Sequence, residues 1–111
     1  MFLDRLTDAG IMIHGDGSKV SDRVQSIADS TVSLLPKMGS AMMVSVNKST
    51  LQLFWQSRDR SMQVLIDSAL RVAVKVSDGT INRTHYCAGE SSALGACLEK
   101  GLTIYRTVNR V

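Results

Sequence analysis

His85 and Cys87 lie two residues apart. On a strand, both side chains would leave the same face, where a thiol and an imidazole can form a nucleophilic pair or half of a metal site. A metal centre asks for more than two ligands, yet the sequence has no Cys-x-x-Cys and no His-x-x-x-His, and its other histidine, His14, belongs to a distant segment. The expectation is a surface histidine beside a semi-buried cysteine, with no metal and no cofactor. The only other thiol, Cys97, follows ten residues later, and both are expected to stay reduced.

Gly89-Glu90-Ser91-Ser92-Ala93 falls one residue short of a G-x-S-x-G nucleophile elbow, Ala93 standing where the last glycine belongs. Both histidines precede the serine, whereas hydrolase order needs one after it. Ser91 or Ser92 reads better as a helix cap. Gly15-Asp16-Gly17-Ser18-Lys19 leads toward a helix start, but Asp16 and Asp22 oppose an anion there and neither phosphate-loop nor calcium-loop spacing is present. An ordinary turn is expected.

Arg71, Lys75, Arg83 and His85 form a basic set that would share one sheet face if their two segments pair as a hairpin. Such a face suits an anionic partner, nucleic acid included, although the net charge of +3 is modest for a nucleic-acid binder and aromatic stacking groups are few. Met43, Phe54, Gly101 and Tyr105 are the candidates for a protein interface, the first two on the less apolar face of a hairpin and the last two on a C-terminal helix whose glycines permit close packing against the sheet or another subunit.

The elements that position these groups follow from periodicity. Residues 1–7 suggest a short helix with Phe2, Leu3 and Leu6 on one side. Ser21 to Leu35 has an N-cap, Asp22 in its first turn, apolar residues at helical spacing, and Pro36 and Gly39 as a stop. Ala41 to Val46 and Leu51 to Gln56 alternate as strands, and pairing Val46 with Leu51 and Val44 with Leu53 gathers their apolar groups, with Trp55, on one face. Ser61 to Ala69 fits either helix or strand, with helix slightly favoured. Leu70 to Val76 and Thr80 to Cys87 form a second hairpin. A two-residue Asp78-Gly79 turn would set Arg83 opposite Val74 on the apolar face, so a three-residue loop with Gly79 left-handed is preferred. That register pairs Val76 with Thr80, Val74 with Asn82 and Val72 with Thr84, and turns Tyr86 inward. Glu90 to Thr107 completes the order as a helix with an apolar stripe from Leu94 to Val108.

A chain of 111 residues, 44% hydrophobic and 21% charged, accommodates one domain over residues 1–111. The fold class expected is α+β, an antiparallel sheet of two hairpins with four to five strands, in the order α-β-β-(α)-β-β-α. Apolar runs are too short for a membrane helix, and the acidic start does not resemble a signal peptide, so a cytoplasmic protein is expected. With no convergent catalytic set, the leading expectation is a small non-enzymatic binding or regulatory protein that acts through protein contacts, as a homodimer. Nucleic-acid binding through the basic face is the alternative, and a thiol-dependent enzyme using Cys87 with His85 is third.

Overall fold

A computed structural model describes residues 1–38 and 40–106. Nine elements follow one another: α1 (Phe2–Asp8), β1 (Ile13–Gly15), α2 (Asp22–Leu34), β2 (Met43–Asn47), β3 (Thr50–Ser57), β4 (Arg60–Ile66), β5 (Arg71–Ser77), β6 (Asn82–Ala88) and α3 (Ala93–Arg106). The six strands lie side by side in chain order; β1 runs parallel to β2, and every later pair is antiparallel. The fold is thus α+β with six strands where four to five are expected: β4 is the optional fifth, and β1 is the addition.

Local chemistry accounts for the elements. Ser21 caps α2 by accepting the Val24 N–H, and the buried stripe Val24, Ile27, Ala28 and Thr31 carries the helical period. The β2–β3 link is a two-residue turn with Lys48 and Ser49 both left-handed, at φ 50° and 61°, the backbone twist that suits a tight hairpin. It fixes Val46 opposite Leu51 and Val44 opposite Leu53, as the sequence pattern requires.

Residues 61–66 are strand, which corrects the helical preference. Met62, Val64 and Ile66 are completely buried, and the segment pairs along its length with β3 on one side and β5 on the other. Both readings had three or more apolar residues in phase; two flanking strands with open hydrogen-bonding edges decide for the sheet.

The second hairpin corrects the expected register. Val76 lies opposite Arg83, Val74 opposite His85 and Val72 opposite Cys87, a slip of three residues. Gly79 is left-handed, at φ 92°, but the loop spans four residues, 78–81, with Asp78 Oδ1 accepting the N–H groups of Thr80 and Ile81 at 2.9 and 2.7 Å. An odd slip exchanges faces. The cost of burying Arg83 does not arise, because β6 is the sheet's edge strand and Arg83 remains exposed there.

The helices cover one face. Valines 44, 46, 72, 74 and 76, with Leu51, Leu53 and Trp55, point toward them, and all are buried. Leu70, expected with this set, sits instead in the β4–β5 turn at φ 66° and is only partly buried. α2 packs over β3 and β4, α3 over β4, β5 and β6, and α1 against α2. α3 begins at Ala93, whose N–H is accepted by Ser91 Oγ, so Ser91 caps the helix. Its expected continuation through Thr107 and Val108, and the expected stop at Gly39, lie outside the described residues.

Candidate functional site

The side of the sheet away from the helices carries no covering element among the described residues. β2 to β5 each send alternate residues to it, and those residues are half-buried or exposed where their neighbours are buried. Met43 and Phe54 face each other across β2 and β3 on this side, so the pair proposed from sequence is brought together on an open surface. Leu65 and Ala73 pair across β4 and β5, and Tyr86 pairs with Ala73 on β6. Tyr86 is 76% exposed and Met43 53%. The inward turn expected for Tyr86 is therefore corrected by the register.

Ala73 offers only a methyl group to fill the sheet surface between Leu65 and Tyr86. A depression of about 370 Å³ results, floored by Ala73, with Tyr86 and Leu65 on opposite sides and Thr50, Asp67 and Arg71 at one end. Arg71 Nε donates to Asp67 Oδ2 at 3.1 Å, an exposed pair that neutralises the local charge. A second, smaller depression, about 220 Å³, includes Gln63, Lys75, Asn82 and Thr84 in its lining. Charge is sparse: of the strand residues on this face, Arg71 and Lys75 are the only formally charged ones; exposed His14, beside Ser45, is there too, and the remainder are serine, threonine, asparagine, glutamine or apolar.

The basic set does not assemble as expected. Arg71 and Lys75 share the uncovered face, while Arg83 and His85, opposite Val76 and Val74, are on the helix side of the edge strand. His85 and Cys87 do share a face, as their spacing requires, and it is the one beneath α3.

Gly101 and Tyr105 are internal contacts, which corrects their assignment to an interface. A Cβ on Gly101 would lie 2.7 Å from Val74 Cγ1 and 3.0 Å from Val76 Cγ2, so the glycine brings α3 down onto β5. Tyr105 is buried, its hydroxyl 3.4 Å from Ser40 Oγ.

Sequence reasoning missed Arg60, a buried guanidinium at the start of β4. Its Nη1 donates to the backbone carbonyl of Tyr105 at 2.6 Å, supplying a cation and a donor to the last turn of α3. Nothing local signals this partnership, since it depends on where α3 ends in space. Asp16 was legible only as a turn residue. Its carboxylate accepts the Lys48 N–H at 2.8 Å and the Ser18 N–H at 2.9 Å, tying the loop after β1 to the β2–β3 turn. Those bonds, Lys48 first, lower its pKa to about 2.

Among the described residues no three metal-ligating side chains converge, and no helix is long and apolar enough to cross a membrane. Compared with known proteins, the chain matches no family model, no curated protein and no solved structure.

Proposed function

We propose that this protein is a binding protein that self-associates through the uncovered face of its sheet, two copies meeting face to face. The observation that carries the reading is the composition of that face. A sheet surface meant for water is ordinarily rich in charge, whereas this one pairs Met43 with Phe54, exposes Tyr86, and holds two charged strand residues, one of them already paired. Depletion of charge around aromatic and methionine side chains is the compositional mark of an interface centre.

Size favours a second copy over a small ligand. Five strands at a spacing of about 4.8 Å, each about 20 Å long, present on the order of 500 Å² in plane and more once corrugation is counted. A standard interface takes about 800 Å² from each partner, so near-complete overlap of two such faces reaches the required scale. Opposed sheets pack about 10 Å apart with side chains interdigitated, and the depression over Ala73 offers room for a facing aromatic group.

Sedimentation over a concentration series tests the reading. A reversible monomer–dimer transition is expected, abolished by Met43→Lys with Tyr86→Lys while circular dichroism stays unchanged. A strict monomer at the highest concentration, or a dimer indifferent to both substitutions, would overturn it.

One observation favours a second reading. Tyr86 stands diagonally between Arg71 and Lys75 on the neighbouring strand, an arrangement that could hold a stacked base and its phosphates. The other aromatic group on the face, Phe54, is three strands away, about 14 Å at ordinary strand spacing, which does not suit adjacent bases. Titration with single-stranded oligonucleotides at low and moderate salt separates the readings. Tight, steeply salt-dependent binding lost in Tyr86→Ala would support this one, and its absence would remove it.

A further inference from the structure

Cys87 and Cys97 are brought together by two elements that meet on the helix side of the sheet. Cys87 leaves β6 opposite Val72 and so faces α3, half-buried; Cys97 is on the buried stripe of α3, 5% exposed. The approach is set by Gly101, one helical turn beyond Cys97 on the same stripe, where the lack of a Cβ lets the helix backbone settle onto β5. The two thiols line a single open cleft of about 370 Å³ together with His85 and Lys100.

His85 belongs to the same strand face as Cys87, and its Nε2 is buried with no hydrogen-bond partner among the described residues. An enclosed imidazole nitrogen without a partner is uncommon in a settled structure and fits a group kept for an event. The thiols differ in environment. Burial first, and then the neighbouring Cys87, push the Cys97 thiol up to about 11, so Cys97 keeps its proton near neutrality. Cys87 is the more accessible sulfur.

We infer that Cys87 and Cys97 form a dithiol site that reacts with small-molecule disulfides and closes to an intramolecular disulfide, with His85 receiving the proton of the buried thiol. Cys87, as thiolate, attacks one sulfur of a disulfide RSSR; its bond to that sulfur forms, the S–S bond of the reagent breaks, and RS⁻ leaves to be protonated. Cys97 then loses its proton to His85 Nε2 and attacks Cys87 Sγ, and the second RS⁻ departs. Two protein thiols are oxidised and one RSSR is reduced to two RSH. Access orders the steps: the external reagent reaches the half-buried sulfur, and the protected sulfur resolves the adduct. The product joins the sheet's edge strand to the helix above it.

The test uses the full chain, reduced and then mixed with oxidised glutathione at mildly alkaline pH, followed by thiol counting and intact mass. Both thiols are expected to disappear, with a mass lower by two hydrogens, no retained glutathione and no linked chains. Cys97→Ser should stop at a glutathione adduct on Cys87, and Cys87→Ser should leave Cys97 unmodified in the folded chain. His85→Gln should slow closure on the order of tenfold or more without slowing adduct formation. A persistent glutathione adduct in the unaltered chain, or disulfides formed only between chains, would overturn the site. An unchanged closure rate in His85→Gln would overturn the part given to His85.

Discussion

Arg60 Nη1 lies 2.6 Å from the carbonyl oxygen of Tyr105, 45 residues away, so the first residue of a central strand holds down the end of the last helix. The guanidinium is 5% exposed, its Nε is 3.9 Å from Asp59 Oδ1, and its Nη2 has no hydrogen-bond partner among the described residues. Arg60→Met keeps an apolar stem but removes the donor to buried carbonyls. Urea unfolding is expected to show a loss of about 1–3 kcal/mol, with the end of α3 losing amide protection first. Equal stability would mean that water serves those carbonyls as well.

The same substitution at two glycines of α3 should give opposite signs. At Gly95 a Cβ meets nothing within 4 Å among the described residues, so Gly95→Ala gains helix propensity alone, about 0.5–1 kcal/mol. At Gly101 the new methyl would press on Val74 and Val76, both buried and stiff at χ1, and overpacking of about 1–3 kcal/mol outweighs the propensity gain. Paired thermal melts check this directly. Gly101→Ala should also slow closure of the Cys87–Cys97 disulfide, because it lifts the helix.

Acid should loosen the loop after β1 at an unusually low pH. The Asp16 carboxylate is stabilised by the Lys48 and Ser18 N–H groups, so its folded pKa, about 2, is below the ordinary 3.8. For a depressed carboxyl the contribution is complete above the unfolded value and is lost as pH falls from near 4 toward 2. Carbon-detected NMR should place the Asp16 midpoint near 2, and Asp16→Asn should remove that part of the acid dependence of unfolding. A midpoint near 4 would dissolve the assigned contacts.

Gly15 pairs with Val46 at a φ of 118°, and a Cβ there would fall 1.9 Å from the Val46 carbonyl oxygen. Gly15→Ala therefore confronts both backbone strain, about 1–3 kcal/mol, and a collision with backbone that has no room to yield. Hydrogen exchange should report the consequence locally: the Asp16 amide, which donates to the same carbonyl at 3.0 Å, loses protection while β3 to β5 keep theirs. Uniform loss would show instead that β1 is inseparable from the sheet.

Much of the architecture was legible because burial writes a period into the sequence. The register of the β2–β3 hairpin could be read to the residue, since Val44, Val46, Leu51 and Leu53 leave one apolar pairing, and α2 to within one residue at each end, whereas β2 begins at Met43 rather than Ala41. The second hairpin was not, for a physical reason: an Arg83 facing the helices is costly only if that face is buried, and an edge strand is not buried on its outer side. With the register went the basic face, and with it the inward Tyr86. β1 is three residues long and pairs in parallel with a strand far along the chain, so no local pattern announces it. Of the thiol site, the shared face of His85 and Cys87 was visible in their spacing, whereas Cys97 joins them only through the docking of α3.

From β2 to β6 the strands neighbour one another in space as they do in the chain, linked by two or four residues each. β1, by contrast, waits for a partner on the far side of residues 16–42. Short closures form quickly and long ones late. The meander therefore assembles as a unit, while α1, β1 and α2, made earlier on the ribosome, have no sheet to settle on until β2 to β4 have emerged. During synthesis the sheet-facing apolar stripe of α2 stays uncovered until then, a surface for a nascent-chain chaperone to hold.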